Sequence, residues 1–345
     1  MTTESRSLAA GARHDEALDA TAPLLTVEDL HVDYGSGSSP VHAVNGLSYT
    51  VEPGETLAIL GESGSGKTAS AQAVLGLLTK PEGHITSGSI RFRGLELTEL
   101  DENEYRAVRG RRIAMVFQSA LAALNPTMTV GKQIAETFVI HEGMSYREGL
   151  KRAAVLMDRV RIPNAKARLG DFPHQFSGGM KQRIIIATAI ALDPSVLIAD
   201  EPTTALDVTV QAQIMALLAE IQADSGMAMI LITHDIAVAA EVAQKVIVMY
   251  AGRAAETGSV TEVFGSPAHP YTVGLMGSLP RLQRRDLPLT AIGGSPPDLR
   301  NLPVGCEFAD RCYRAEAICR TDRPALEPVA GGHESACHFR AEIRA

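Results

Sequence analysis

Residues Gly61-Glu62-Ser63-Gly64-Ser65-Gly66-Lys67-Thr68 fit the pattern G-x-x-x-x-G-K-[ST], the spacing at which a backbone curls around phosphate oxygens. Glycines let successive N–H groups turn inward, and the helix that follows adds the positive end of its dipole. The Lys67 ammonium reaches the outer phosphates, and the Thr68 hydroxyl is a hard oxygen ligand for Mg²⁺. Gly61, Ser63, Gly64, Ser65 and Gly66 then line the cradle. Asp200 and Glu201 follow the apolar run Val196 to Ala199, which sets two carboxylates at the C-terminal end of a strand, where α/β sites form. Adjacent carboxylates divide labour: Asp200 holds Mg²⁺ through its water shell, and Glu201 orients or deprotonates an attacking water. Ser177-Gly178-Gly179 precede a helix-like stretch, Met180 to Leu192. Ser177 is placed to cap that helix, and the two glycines leave amides open as a second anion grip. One phosphate chain has little room for two helix termini of one subunit, whereas two chains packed head to tail supply both.

The elements that must hold these residues read as alternating strands and helices. Leu24 to Val27, Leu47 to Val51 and Thr56 to Leu60 are β-like, and Ala69 to Leu78 has helical length, ending near Lys80-Pro81. Ile113 to Phe117, Val196 to Ala199, Met229 to Ile232 and Val246 to Tyr250 suit buried parallel strands, with helices such as Val210 to Gln222 between them. Between Leu124 and Phe176 the strand signal vanishes, and Val130 to Ile140 and Gly149 to Val160 read as inserted helices. The expected division is a solvated tail over 1–22, an α/β domain over 23–265 with a helical subdomain at about 120–180, and a C-terminal module over 266–345 that holds every cysteine.

Composition narrows the function class. The 345 residues are 45% hydrophobic and 21% charged, the balance of a folded protein with ample core. A net charge of −8 argues against a broad footprint for nucleic acid or anionic lipid. No apolar run approaches the roughly 18 to 20 residues needed to span a bilayer, so any membrane role must come through a partner. Cys306, Cys312, Cys319 and Cys337 cluster in the C-terminal module. In a reducing compartment such thiols suggest metal ligation, as zinc or an iron–sulfur cluster. His333 and His338 flank Cys337 and could serve zinc, or be surface residues of a polar loop.

The ordered set resembles the ATP-binding subunit of an ABC transporter. It comprises the phosphate loop, Gln118, the segment Phe176 to Gln182, Asp200-Glu201, Ala205-Leu206-Asp207 and Thr233-His234-Asp235. The resemblance implies a P-loop NTPase core with an antiparallel β subdomain and an inserted helical subdomain. It implies that Gln118 touches Mg²⁺ and water, that His234 contacts the γ-phosphate, that Asp207 lines a dimer interface, and that adenine stacks on Tyr34. Two ATPs would lie between two such chains, each Ser177 and Gly179 meeting the γ-phosphate bound by the opposite subunit. Met180 stands where the commonest family pattern has glutamine.

His174 to Arg183 and the later His269-Pro270-Tyr271-Thr272, Leu279-Pro280, Pro296-Pro297 and Leu302 to Cys306 are similar to dipeptide and oligopeptide importer ATPases, with nickel importers close by. That branch implies a [4Fe–4S] cluster at the four cysteines, with zinc as the alternative. It also implies a second, related ATPase chain, two permease subunits and an extracytoplasmic solute-binding protein, at the cytoplasmic face of the bacterial inner membrane. Competing readings are a soluble ABC ATPase of DNA repair or translation, and a nucleotide-dependent scaffold with a redox-sensing cysteine module.

Overall fold

In chain order the elements are β1 (Leu25–Tyr34), β2 (Val41–Val51), β3 (Thr56–Leu60), α1 (Lys67–Val74), β4 (Gly83–Phe92), β5 (Leu95–Glu96), α2 (Glu102–Val108), β6 (Ile113–Val116), α3 (Val130–Glu142), α4 (Tyr146–Arg159) and α5 (Gly178–Ala189). There follow β7 (Val196–Asp200), α6 (Val208–Ser225), β8 (Ala228–Thr233), α7 (Ile236–Val242), β9 (Lys245–Tyr250), β10 (Arg253–Ser259), α8 (Val260–Gly265), α9 (Pro270–Gly277), α10 (Ala317–Thr321), β11 (Glu327–Ala330) and β12 (His333–Ser335). The computed structural model describes residues 18–35, 37, 39–118, 123–204, 206–278 and 292–343. Most of the expected tail, Ala205 and Leu279-Pro280 lie outside the described residues. The end of that tail is tied down, since the Asp19 N–H donates to the Arg93 carbonyl at 2.9 Å.

Two compact units divide the chain. One takes 1–26, 50–55 and 91–231; the other takes 27–49, 56–90 and 232–345. In the first unit β6 and β7 pair in parallel, Ile113 opposite Val196 through Val116 opposite Ala199. All four residues of β6 and all five of β7 are buried, the apolar run expected of strands covered on both faces. β5 pairs antiparallel with the end of β4. The inserted helices belong here. Ser145 and Glu148 form a reciprocal capping box that starts α4, and Gly143 at φ 66° closes α3. Their packing is close: a Cβ on Gly149 would stand 2.9 Å from the Ala135 carbonyl oxygen.

The second unit holds the parallel pair β3 and β9, Leu57 opposite Lys245 through Leu60 opposite Val248. β10 pairs antiparallel with β9, and β12 adds to β10 with Glu256 opposite Ser335. The chain after Gly265 therefore shares a unit with the phosphate loop and extends its sheet. Ala58, Leu60, Val246 and Val248 of the strands pack with Tyr250, Tyr271 and Phe308 in one buried cluster. Helix α1 ends at Val74 with Leu75 as its C-cap, short of the expected Leu78, because Gly76 takes φ 58° and stops the helix with a left-handed residue. Among the described residues no helix is long and apolar enough to cross a membrane.

Candidate nucleotide site

The phosphate loop joins the fully buried β3 to α1. Its glycines are required sterically. Gly61 at φ 154° would bring a Cβ to 2.3 Å from the Met249 carbonyl oxygen, and Gly66 at φ 99° would bring one to 2.1 Å from that of Ala43. Gly64 also takes positive φ, at 79°, the region glycine enters at no steric cost. Lys67 is buried, and its Nζ donates to the carbonyls of Gly61 at 2.7 Å and Glu62 at 2.8 Å. Ser65 is buried, while Ser63, Gly64 and Thr68 are exposed at the mouth of the loop. A glycine-rich turn before a helix N-terminus, with a lysine ammonium seated beside it, is a site for a polyanion.

Tyr34 ends β1 in the same unit. Its hydroxyl donates to Gln72 Oε1 of α1 at 3.0 Å, and its ring lies against Gly83, where a Cβ would stand 2.7 Å from it. Partial burial raises the phenol above its ordinary range. His234 follows β8 and is exposed, just before Asp235, whose side chain caps α7 through the N–H groups of Ala237 and Val238.

In the first unit Asp200 is the last residue of β7 and is 2% exposed. Glu201 turns to φ 45°, a strained value for a residue with a side chain. Its Oε2 accepts from Gln118 Nε2 at 2.7 Å and from the Thr204 hydroxyl at 2.8 Å. Gln118 thus spends its amide nitrogen on Glu201, which leaves the amide oxygen as the atom a cation takes. A buried carboxylate oxygen and a glutamine carbonyl are hard donors that fit Mg²⁺.

Ser177 caps α5 as expected, its hydroxyl accepting from the Met180 N–H at 3.4 Å. Ser177 and Gly178 are exposed, whereas Gly179 is a packing necessity: a Cβ there would meet Val210 Cγ1 at 2.6 Å. Asp207 caps α6 through the Val210 N–H at 2.9 Å. Met180 has a partner after all, since Arg168 Nη1 lies 3.6 Å from its sulfur. The same guanidinium sits 4.0 Å from the centre of the Phe176 ring.

The ABC transporter family model matches residues 44–204, and that of the oligopeptide/dipeptide transporter C-terminal region matches residues 255–319. The dipeptide transport ATP-binding protein DppD of Bacillus subtilis is 46% identical over 314 residues, covering 91% of this chain and 94% of its own. The oligopeptide transport ATP-binding protein OppD of Salmonella typhimurium is 47% identical, covering 91% and 93%. The chain belongs to the ABC transporter ATPases. Among solved structures it is similar to the dimeric ATP-binding cassette MJ0796 in a post-hydrolysis state with ADP and Pi: 27% identity, TM-score 0.61, covering 68% of this chain and 98% of that one.

As an ABC ATPase the chain binds and hydrolyses ATP. Sequence reasoning found the loop, the strand-end carboxylates and the capped signature helix, but it missed what braces the loop. Glu62 accepts Arg311 in a two-pronged pair, at 2.8 and 3.0 Å, and its N–H donates to the Tyr271 hydroxyl at 2.9 Å. Tyr271 heads α9, whose start is capped by buried His269 through Nδ1. Glu256 of β10, fully buried, holds that segment by accepting the N–H groups of Ala268 and His269 and pairing with His333 at 2.7 Å. His333 is therefore neither a surface residue nor a free metal ligand. His338 spends its Nε2 on the Asp322 carbonyl.

The four cysteines carry no disulfide, and all of them line one small cavity with His338 and Phe308. Gly305 makes this possible: a Cβ there would stand 2.3 Å from the Cys319 carbonyl oxygen, which instead accepts the Cys306 N–H at 2.8 Å. Burial pushes the Cys306 thiol up to about 12 and that of Cys337 to about 11, and raises Cys312 in the same sense. Three sulfurs accept an N–H from two residues on, namely Phe308 to Cys306, Arg314 to Cys312 and Phe339 to Cys337. Among the described residues no group of three or more His, Cys, Asp or Glu side chains is gathered closely enough to hold a metal ion.

Proposed function

We propose that this ATPase powers uptake of dipeptides or oligopeptides across the cytoplasmic membrane, as the peripheral subunit of an importer. The observation that carries the reading is the oligopeptide/dipeptide transporter C-terminal region, at residues 255–319, behind an ABC ATPase segment. It is supported by near full-length similarity to DppD and OppD. Its partners are a second ATPase chain, permease subunits that supply the bilayer path, and a solute-binding protein that selects cargo.

The roles follow from the residue chemistry. Amides of Gly61 to Gly66 and the Lys67 ammonium neutralise the β- and γ-phosphates. Thr68, Asp200 and Gln118 would hold Mg²⁺, which when bound withdraws charge from the phosphates as the terminal one departs. Glu201, steadied by Gln118 and Thr204, aligns the attacking water and takes its proton, while His234 donates to the γ-phosphate. Tyr34 offers its ring to adenine. The exposed Ser177 and Gly178, with Gly179, serve the γ-phosphate bound by a second cassette, so ATP closes the dimer and hydrolysis reopens it.

The cysteine cavity is read as the seat of a [4Fe–4S] cluster held by Cys306, Cys312, Cys319 and Cys337. Zinc held by the same four thiolates is the alternative. The N–H groups aimed at three of the sulfurs suit thiolates, which share charge with such donors. When bound, the group contributes folding free energy to a segment whose own core is thin.

The deciding experiment is ATP-driven uptake of a labelled peptide into vesicles holding the co-purified complex. Lys67→Ala in this chain should abolish uptake, and identification of the co-purifying chains should return permeases. Full uptake with Lys67→Ala would overturn the reading. Iron and acid-labile sulfide in anaerobically purified protein check the cluster, and stoichiometric zinc with neither would replace it.

A further inference from the structure

Two side chains from the C-terminal segment reach the phosphate loop at one residue. Arg311 clamps the Glu62 carboxylate through Nη1 to Oε2 and Nη2 to Oε1, and the Tyr271 hydroxyl accepts the Glu62 backbone N–H. Neither is a casual surface contact. The Arg311 side chain is 6% exposed and Tyr271 is fully buried. Arg311 also donates from Nε to the Gly293 carbonyl at 2.9 Å and from Nη1 to the Tyr250 hydroxyl at 3.2 Å. Around them Tyr250, Tyr271 and Phe308 form a ring cluster with centroids 4.7 to 5.3 Å apart.

Glu62 is a sensitive place to hold the loop. Its carbonyl accepts from Lys67 Nζ at 2.8 Å and from the Ser65 N–H at 3.2 Å, so its peptide unit sets the seat of the ammonium and the curl of the loop together. A planar, two-pronged arginine pair adds geometric definition more than net stability, since desolvation offsets much of its Coulomb energy. At the other end, Arg311 precedes Cys312 directly, and Phe308 lies two residues past Cys306.

We propose that Arg311 and Tyr271 are positioning residues for the phosphate loop, through which the four-cysteine segment sets the affinity of this chain for ATP. The proposal rests on the ATPase reading above. It predicts that removing the clamp weakens nucleotide binding while the chemical step, which belongs to other residues, is largely kept.

The test is ATP hydrolysis and fluorescent ATP-analogue binding by the intact complex, with melting temperature and metal content followed in parallel. Arg311→Gln should raise KM and the analogue Kd roughly three- to thirtyfold with kcat changed by less than about twofold, because a phosphate grip lost equally in the ground and transition states raises KM without lowering kcat. Arg311→Lys should recover part of the loss, and Tyr271→Phe should move KM in the same direction. Glu62→Gln combined with Arg311→Gln should add little to either change alone, as expected for one shared interaction. Should Arg311→Gln not fold, Tyr271→Phe, which removes a single hydroxyl, carries the test. Parental KM and Kd in both variants with only a lowered melting temperature would overturn the proposal, as would independent multiplication of the Glu62 and Arg311 effects. Unchanged analogue binding by Lys67→Ala would instead remove the ATPase reading and the proposal with it.

Discussion

Replacing Glu201 by glutamine separates chemistry from architecture. Glu201 sits at φ 45° and uses Oε2 as acceptor for Gln118 and Thr204. Glutamine keeps an oxygen for those donors and the same backbone, and loses only the charge and the capacity to take a proton. At a half-exposed site the lost charge assistance is worth no more than about 1 kcal/mol. Loss of general-base action costs roughly 10²- to 10⁴-fold in rate, about 3 to 5 kcal/mol of barrier. Phosphate release by the purified complex at saturating Mg-ATP should therefore collapse, while analogue binding and melting temperature stay near parental. A second variant sharpens the contrast. Glu201→Gly relieves a left-handed residue by about 1 to 2 kcal/mol, which offsets the two lost hydrogen bonds, so stability should hold while hydrolysis disappears. Hydrolysis within about threefold of the parent in Glu201→Gln, or a collapse of folding in both variants, would refute this assignment.

Gly66→Ala should abolish analogue binding, because its Cβ would stand 2.1 Å from the Ala43 carbonyl at φ 99° and backbone on both sides must yield; parental affinity by titration would contradict that. Gly179→Ala should lower stability by about 1 to 3 kcal/mol through overpacking against Val210, and calorimetry should find it recovered in Gly179→Ala combined with Val210→Ala. His141 is held below its usual pKa by burial, with repulsion from Arg111 adding to it. The unfolded chain then takes up a proton below about pH 6.5 that the folded chain refuses. Denaturant stability should fall as pH drops through that value, with a shallower slope in His141→Gln, and an identical slope would remove His141 as a cause. Serine at Cys306 should release the iron of the anaerobic protein and lower its melting temperature, and unchanged iron content would exclude that thiol as a ligand.

What the sequence determined by itself was local. The phosphate loop, the cap at Ser177, and the buried runs of β3, β7 and β9 are legible because each depends on residues within a turn or two along the chain. Glycine spacing and strand-length apolar runs encode their own conformation. The end of α1 was placed too late, at Leu78 before Lys80-Pro81, because a proline is a more conspicuous helix stop than the left-handed Gly76 that ends it. Tertiary structure alone decided the partners of Glu62, which lie 249 residues away at Arg311 and 209 away at Tyr271. It likewise decided the pairing of Glu256 with His333, 77 residues apart. A charged or hydroxyl side chain carries no record of its partner. Those groups are taken out of water by the pairing of β12 with β10 and by the closed aromatic cluster, and burial is what obliges them to pair.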